Sequence, residues 1–172
     1  MDFTLRPFCM EDADSLAYYA NNPNIAKNLR NVFPQPYTKE DAVAYLQSCI
    51  EKEGCGQITR AIVVGGQAVG SIGIFIQTDV ACKTAELGYF LGEPFWGNGI
   101  ASRAISSIIK EAFSRFVLQR IFATPFATNL ASCRVLEKAG FTLEGILRRS
   151  VYKNGMVLDS CMYAITCEEC FI

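Results

Sequence analysis

The sequence predicts a mixed α/β fold in one domain that spans residues 1–172, and three observations support this prediction. The chain has 172 residues, of which 51% are hydrophobic, and a chain of this length can bury a core without disulfides or metal ions. Runs with the periodicity of strands alternate with runs that have the periodicity of helices. One strand–helix–strand unit lies near the centre, and Gly97 and Gly99 separate its first strand from its helix. This order is typical of a sheet covered by helices.

The N-terminal third is predicted to hold one strand and two helices. Residues 3–8 alternate between apolar and polar side chains and include a proline, which is typical of an edge strand. Residues 11–20 have a helical pattern that ends at an Asn-Asn-Pro sequence. Residues 24–37 are irregular, and they indicate either a surface connection or a flexible loop on the substrate side. The second helix begins after Thr38, a capping residue that acidic residues follow.

Three strands and a long helix are predicted for the middle of the chain. Residues 61–78 carry no charge, but they are too short and too interrupted for a membrane span of about 20 residues. Gly65-Gly66 in their middle predicts a hairpin of two core strands. Residues 83–91 predict a third strand, in which Gly88 indicates a bulge or a close backbone approach. From Ile100 onward, apolar residues recur every three or four positions, which predicts a buried helix face.

The C-terminal part is predicted to form one strand, one helix and a long hairpin. Residues 120–124 have the strand pattern, and residues 129–139 have the helix pattern. Residues 142–152 and 156–166 are the two arms of the hairpin, and Asn154-Gly155 between them is a strong two-residue turn signal. No linker or repeat interrupts this order of elements.

The composition excludes several classes of protein. A net charge of −1 argues against a mainly electrostatic partner, so neither nucleic acid nor a membrane is expected. The charged start predicts no signal peptide, and the eight scattered cysteines do not resemble a disulfide framework. We therefore expect free thiols in a cytoplasmic protein. Cys167 and Cys170 form the one Cys-x-x-Cys sequence, but no second pair exists at zinc spacing, so no metal site is expected.

The chain contains no histidine. This excludes Ser–His and Cys–His catalytic pairs as well as histidine-ligated metals. Any general base must therefore be a carboxylate, a tyrosine, a cysteine or a relayed water molecule.

The glycine-containing turn before the long helix, residues 96–102, is called the cradle below. Glycine permits tight turns and a close ligand approach, and the first turn of a helix attracts phosphate through its unpaired N–H groups. A plain tight turn into a core helix is the alternative. The cradle lacks the Lys-Ser/Thr sequence of a P-loop, and Ser102 stands where the dinucleotide fingerprint needs glycine or alanine. Neither of these nucleotide motifs is therefore present.

Two motifs lie in order about 30 residues apart. The first is Glu86-Leu-Gly-Tyr-Phe-Leu91 followed by Trp96-Gly-Asn-Gly-Ile-Ala101, which includes most of the cradle, and the second is Asn129-Leu-Ala-Ser132 followed by Val135-Leu-Glu-Lys-Ala-Gly-Phe141. Together they resemble the GNAT superfamily of acetyl-CoA-dependent N-acetyltransferases, and within it the Rim-type branch of ribosomal-protein N-terminal acetyltransferases. Much of the superfamily has Gln or Arg at the position of Trp96, whereas the Rim-type branch often has Trp. The opening Thr4-Leu-Arg-Pro7 and the closing segment from Leu143-Glu-Gly145 to Asp159 also fit, so the resemblance covers nearly the whole chain.

The resemblance implies one N-acetyltransferase domain over residues 1–172. Its sheet has six to seven mostly antiparallel strands and is flanked by about four helices. The co-substrate is acetyl-CoA, and no metal is used. The backbone of the cradle holds the CoA pyrophosphate, the strand before it bonds to the pantetheine arm, and the start of a later helix adds one more contact. The implied cofactor-binding residues are Tyr89, Phe90, Leu91, Trp96, Gly97, Asn98, Gly99, Ile100, Ala101, Ser102 and Asn129.

The resemblance also implies two catalytic candidates. Glu86 is the candidate base, acting directly or through water, and its alternative is a solvated strand residue. Ser132 is the candidate acid for the leaving thiolate, and its alternative is an ordinary serine at a helix start. Tyr89 is a wall of the pocket rather than a catalyst. An acyl-enzyme on Cys133 is not favoured, because no histidine exists to activate the thiol.

The implied reaction is direct attack of a neutral primary amine on the acetyl thioester. Removing the proton of a lysine amine at pH 7.4 requires about 4 kcal/mol, whereas removing that of an α-amine requires less than about 1 kcal/mol. This favours a protein or peptide N-terminus as the acceptor. A small-molecule or polyamine N-acetyltransferase, a CoA-binding module without turnover, and a nucleotide-binding protein are the alternatives. The chain is expected to be a monomer or a homodimer.

Overall fold

Seven strands lie side by side in the computed structural model, which describes residues 1–170. These strands are β1 (Thr4–Arg6), β2 (Gln57–Val64), β3 (Gln67–Ile76), β4 (Thr84–Leu91), β5 (Arg120–Ala123), β6 (Thr142–Lys153) and β7 (Met156–Thr166). They form one sheet with the order β1-β2-β3-β4-β5-β7-β6. Every neighbouring pair is antiparallel except β4 and β5, which are parallel. The predicted α/β class and the mostly antiparallel sheet are confirmed.

Helices cover both faces of this sheet. Four helices have eight or more residues, and two are single turns. They are α1 (Ala13–Ala20), α2 (Pro23–Ala26), α3 (Lys39–Glu51), α4 (Ile100–Arg115), α5 (Leu130–Lys138) and α6 (Cys167–Cys170). The buried residues of α4 and α5 share one hydrophobic core with β3, β4 and β5. Those of α1 and α3 share a second core with parts of β2 and β3. The site can therefore draw residues from two separate faces.

Local chemistry explains where several elements begin and turn. At the start of α3 the Thr38 hydroxyl accepts the N–H of Asp41 at 3.2 Å, and the Asp41 carboxylate accepts the N–H of Thr38 at 2.8 Å. This reciprocal pair is a capping box. The two glycines between β2 and β3 and the Asn154-Gly155 turn all have positive φ, as tight hairpin turns require. The predicted hairpins are confirmed.

Two features differ from the sequence-based expectation. Residues 23–26 form α2, although residues 24–37 were predicted to be irregular. The helix begins here because the Asn22 side chain accepts the N–H of Asn24 at 2.8 Å and Pro23 takes the first helical position. No bulge forms at Gly88, since the register between β3 and β4 continues without a shift. Gly88 lies opposite Gly73 instead, and the Phe75 ring fills the space beside them.

No helix within residues 1–170 is both long enough and apolar enough to span a membrane. The uncharged residues 61–78 form the end of β2 and all of β3, which are two interior strands of the sheet.

The α3 cap gives a test of the fold. Thr38→Ala removes the capping hydroxyl, and we expect it to lower the free energy of unfolding by about 1 kcal/mol. For a chain of this size this corresponds to a fall in Tm of about 2–4 °C in a thermal melt. Thr78→Ala is the matched control, because Thr78 precedes a short 3₁₀ turn without capping it. Equal melting temperatures for the two variants would contradict the assigned role of Thr38.

Candidate active site

Strands β4 and β5 separate after three residue pairs, the last of which joins Glu86 to Phe122. β4 continues to Leu91, whereas β5 ends at Ala123. The space that opens between them is called the β4–β5 gap. It interrupts the sheet at its one parallel pair within residues 1–170.

The backbone of β4 presents alternate residues to this gap. The N–H of Gly92 donates to the carbonyl of Val69 at 2.7 Å. This bond determines which alternate residues of β4 direct their backbone N–H and C=O groups to β3. Even-numbered residues such as Phe90 therefore direct their backbone groups to β3. The N–H groups of Tyr89 and Leu91 point the other way, into the gap. This edge of β4 can bond to a ligand that lies along it.

The cradle links β4 to α4 through two left-handed residues. The φ angle is +77° at Gly97 and +68° at Gly99, a conformation that costs other residues about 1–2 kcal/mol. A Cβ on either glycine would meet nothing within 4 Å. The backbone conformation therefore requires glycine here, and the space outside the loop is open to a ligand.

Several N–H groups of the cradle have no protein acceptor. The first backbone hydrogen bond of α4 runs from the N–H of Arg103 to the carbonyl of Gly99, at 3.3 Å. Within the described chain, the N–H groups of Ile100, Ala101 and Ser102 therefore lack a helical acceptor. The first turn of this 16-residue helix also contains no acidic residue. These donors and the positive end of the helix dipole fit a pyrophosphate group.

Trp96 and Asn98 hold the cradle in place. The indole Nε1 of Trp96 donates to the Leu91 carbonyl at 2.7 Å. The amide Nδ2 of Asn98 donates to the carbonyls of Phe95 and Trp96 at 3.3 and 3.0 Å. Both side chains therefore use their polar groups to shape the loop, while 44% of Trp96 stays exposed.

Two hydroxyl groups meet on the α4/α5 face of the sheet. The Tyr89 hydroxyl and the Ser132 Oγ atom are 2.7 Å apart. The Asn129 side chain accepts the N–H of Ser132 at 3.2 Å, which caps α5 and fixes the position of the serine. Burial raises the pKa of Tyr89 to about 12. Tyr89 therefore keeps its proton at neutral pH and can act as a hydrogen-bond donor.

Glu86 lies at the mouth of the gap on the other face of the sheet. Side chains alternate along a strand, so Glu86 and Tyr89 point to opposite faces. The Glu86 carboxylate forms a salt bridge with Arg30 and lies 3.4 Å from the Thr124 hydroxyl. The exposed fraction is 19% for the Glu86 side chain and 68% for that of Arg30.

Residues 27–38, here called the α2–α3 segment, connect the elements around Glu86. The ring of Phe33 packs against Phe90 and Tyr37, with centroid distances of 5.5 and 4.9 Å. The Asn31 amide donates to the carbonyl of Tyr152 at 3.4 Å. The segment thus joins the end of β4 to the β6–β7 hairpin. The segment therefore borders Glu86 on this face of the sheet through Arg30.

The structure brings most of the predicted site residues to the gap and the cradle, but with some unexpected contacts. Phe90 bonds to β3 through its backbone and packs its ring against Phe33, so its backbone does not face the gap. Asn129 uses its carbonyl oxygen as a helix cap. Cys133 is buried, and burial raises the pKa of its thiol, which opposes a nucleophilic role.

Two contacts were missed from the sequence. Arg30 lies 56 residues before Glu86, and Tyr89 lies 43 residues before Ser132. The Tyr89 side chain was expected to be a pocket wall, yet its hydroxyl contacts the candidate acid. The alternation of β4 side chains was the available signal that Tyr89 and Glu86 belong to different faces.

No convergence of three or more acidic, cysteine or histidine side chains that could hold a metal ion occurs in residues 1–170. Cys167 and Cys170 lie in α6 as free thiols.

The interrupted sheet and the unfilled N–H groups of the cradle have the shape and the donors that suit a long anionic ligand, with a carboxylate and a pair of hydroxyls on opposite faces of β4. An acetyltransferase (GNAT) domain matches residues 2–142. The chain therefore belongs to the GNAT acetyltransferase family, as the sequence motifs predicted.

Several relatives support this membership. The chain is 40% identical to the uncharacterized N-acetyltransferase YoaA of Bacillus subtilis over 58% of its length, and this match spans about half of YoaA (55%). It is 28% identical to the uncharacterized N-acetyltransferase p20 of Bacillus licheniformis, over 96% of this chain and 93% of p20.

Solved structures share the fold and include the expected Rim-type branch. RimJ of Mycobacterium smegmatis, in complex with CoA-disulfide, has a TM-score of 0.87 and 26% identity, covering 97% of this chain and 83% of its own. The microcin C7 self-immunity acetyltransferase MccE, in complex with acetyl-CoA and AMP, has a TM-score of 0.84 and 27% identity. This match covers 96% of this chain and 92% of the MccE chain.

Relatives with a named acceptor fall into two groups. The ribosomal-protein-serine acetyltransferase of Escherichia coli is 35% identical over 48% of this chain and 46% of its own length. The spermidine N(1)-acetyltransferase of the same organism is 26% identical over 88% of this chain and 78% of its own. Similarity alone therefore does not select the acceptor.

Proposed function

We propose that the chain is an acetyl-CoA-dependent N-acetyltransferase whose preferred acceptor is the α-amine of a protein or peptide N-terminus. One observation carries the proposal: the β4–β5 gap separates a hydroxyl pair on one face from a carboxylate on the other. Residues 1–172 form one catalytic domain in this proposal. Acetyl-CoA supplies the acetyl group as a thioester, and the protein supplies binding, orientation and proton transfer. The eight free cysteines are consistent with a cytoplasmic location.

The backbone of the chain binds the co-substrate in this proposal. The N–H groups of residues 97–102 hold the pyrophosphate, which the unfilled donors of the cradle support. The N–H groups of Tyr89 and Leu91 bond to the pantetheine arm, and one of them polarises the thioester carbonyl. Asn129 contributes its amide NH2 group, because its oxygen already caps α5. Phe90 supports the site through packing alone.

Proton transfer uses both faces of the sheet. On the acceptor face, Glu86 takes the proton that the amine loses, directly or through one water molecule. On the other face, Ser132 donates a proton to the leaving sulfur. Tyr89 hydrogen-bonds to Ser132 and keeps its own proton at neutral pH, so it can orient the serine hydroxyl or restore its proton.

The chemistry of the amine favours the α-amine. Its pKa is about 7.7–8.0, so a weak base suffices, whereas an alkyl amine resembles lysine, with a pKa of about 10.4. Near pH 7.4 the free energy needed to present the amine in its neutral form differs by about 3 kcal/mol between the two. The neutral fraction of the α-amine is therefore more than a hundredfold larger. A polyamine is the second candidate acceptor, and the similarity to the spermidine enzyme favours it. A CoA-binding module without turnover is the third hypothesis.

The decisive experiment measures acetyl transfer to a peptide with a free N-terminus and to spermidine, from pH 6.5 to 9.5. We expect kcat/KM for the peptide to level off above about pH 8, because the α-amine is then largely neutral. Spermidine should instead gain about tenfold per pH unit. Glu86→Gln should lower kcat for the peptide by about 10²–10⁴ with little change in CoA affinity, while Glu40→Gln, an exposed control, should behave as wild type.

Preferred transfer to spermidine at pH 7.4 would establish the second candidate instead. Binding of CoA without transfer to any amine would indicate the module. Wild-type rates for Glu86→Gln across this pH range would remove Glu86 as the base.

The cradle can be tested with two glycine variants. Gly99→Ala and Gly65→Ala both place a side chain at positive φ, +68° and +57°, and each should destabilise the fold by about 1–2 kcal/mol. Only Gly99→Ala should weaken CoA binding, by about tenfold or more, because displacing one N–H from a phosphate costs about 1.5–3 kcal/mol. Trp96 is the only tryptophan in the chain, so its fluorescence reports the titration. Equal CoA affinities for the two variants would place the CoA pyrophosphate elsewhere.

The hydroxyl pair gives a further test. If Tyr89 acts through Ser132, the double variant Ser132→Ala/Tyr89→Phe should lose no more kcat than Ser132→Ala, for which we expect a loss of about tenfold to hundredfold. Because the pKa of Tyr89 is about 12, its proton is present throughout pH 6–10, and no alkaline loss of kcat should arise from it there. A fall in kcat between neutral pH and pH 10 that disappears in Tyr89→Phe would contradict this assignment. A loss of kcat in the double variant equal to the product of the losses in the two single variants would contradict it too.

A further inference from the structure

The carboxylate proposed to receive the acceptor's proton already has a cationic partner. Arg30 NH2 forms a salt bridge with Glu86 Oε1. The two side chains differ in setting, since Glu86 is largely buried and Arg30 is mostly exposed. A mostly exposed guanidinium group is therefore bonded to the carboxylate that an incoming ammonium group must reach in the proposed function.

The backbone that carries Arg30 is well anchored, whereas the Arg30 side chain is mostly exposed. Phe33 packs against Phe90 and Tyr37, and Asn31 bonds to the backbone of Tyr152. Both anchoring residues closely follow Arg30 in the chain, and the N–H of Phe33 bonds to the carbonyl of Arg30 at 3.0 Å. The guanidinium can therefore leave the carboxylate by rotation of its side chain, while the segment stays in place and keeps the charge nearby.

We propose that Arg30 is a specificity-determining residue, whose guanidinium competes with the acceptor's ammonium for Glu86 and disfavours acceptors with additional positive charges. This inference rests on the proposed function of Glu86 in the same site. Because the Arg30 side chain is mostly exposed, solvent screens this salt bridge and weakens it, so one ammonium group can displace Arg30. After displacement the guanidinium remains within the roughly 8 Å over which exposed charges interact at physiological salt. A polyamine is then repelled through its other ammonium groups, whereas a peptide with one charged amine is not.

The test compares three variants with the wild-type chain. Arg30→Gln removes the competing charge, and Arg30→Lys retains a cation. Lys27→Gln is the matched control, because Lys27 belongs to the same segment but its Nζ atom lies 3.0 Å from Asn24 rather than on Glu86. Each protein is assayed with spermidine and with a peptide that has a free N-terminus and no other positive charge, and kcat and KM are determined separately.

We expect Arg30→Gln to lower KM for the peptide about fivefold, which is the upper range for the loss of one exposed ion pair. KM for spermidine should fall by more, about tenfold or above, because repulsion of its other charges also disappears. The kcat values should stay within about twofold. Arg30→Lys and Lys27→Gln should both resemble the wild type.

Unchanged or higher KM values in Arg30→Gln would overturn the proposal. The same would follow if Lys27→Gln lowered KM equally, since a general charge effect would then explain the result. Equal effects of Arg30→Gln and Arg30→Lys would also overturn it, because they would show that shape matters and charge does not. A large fall in Tm for Arg30→Gln would indicate a structural role instead.

A binding measurement separates this inference from the proposed function. Spermidine is titrated calorimetrically into the protein loaded with CoA, which carries no acetyl group and permits no transfer. Tighter binding to Arg30→Gln than to the wild type supports competition, and this gain should shrink when Glu86→Gln is present in both, because only the repulsion between Arg30 and the other ammonium groups of spermidine then remains. If Arg30→Gln binds spermidine no more tightly than the wild type, the inference is overturned. If the wild type transfers acetyl to neither amine, the proposed function fails, and the titration still decides the role of Arg30.

Discussion

The separation of β4 from β5 beyond Glu86 and Phe122 is the constraint on which the rest of the site depends. Backbone groups inside a fold need hydrogen-bond partners, so an interrupted sheet persists only where other groups supply them. The Trp96 indole N–H donates a hydrogen bond to the carbonyl of Leu91. The N–H groups of Tyr89 and Leu91 face the gap, where an amide-bearing ligand arm can take the place of the missing strand. The gap thus favours an extended ligand with its own carbonyl groups.

The same strand also separates the two halves of the proposed chemistry. Because side chains alternate along β4, Glu86 must point to one face when Tyr89 points to the other. Tyr89 meets Ser132 beside the helices α4 and α5, whereas Glu86 meets Arg30 on the α2–α3 segment. A reacting group placed in the gap is accessible from both faces at once. Proton removal and proton delivery can therefore proceed without competing for one position.

Features set by neighbouring residues were predictable from the sequence, and features set by distant ones were not. Left-handed glycines, capping residues and hairpin turns depend on a few adjacent positions, so the cradle and most element boundaries followed from pattern and the family motifs. The turn of α2 was missed, because a four-residue helix has no periodicity to detect. The contacts of Arg30 with Glu86 and of Tyr89 with Ser132 cross more than 40 residues. Only the assembled sheet decides which side chains meet.

The absence of histidine, the state of Cys133 and the nature of the acceptor lead to one consistent chemistry. A buried thiol with a raised pKa is a poor nucleophile, and no imidazole exists to activate it. Transfer by direct attack avoids both requirements, because the nucleophile is the acceptor itself. An α-amine is already partly neutral near pH 7.4, so it needs no strong base. In the mechanism that we propose, a single carboxylate beside a displaceable cation removes the proton of the amine, and the two hydroxyls on the far face supply a proton to the leaving sulfur.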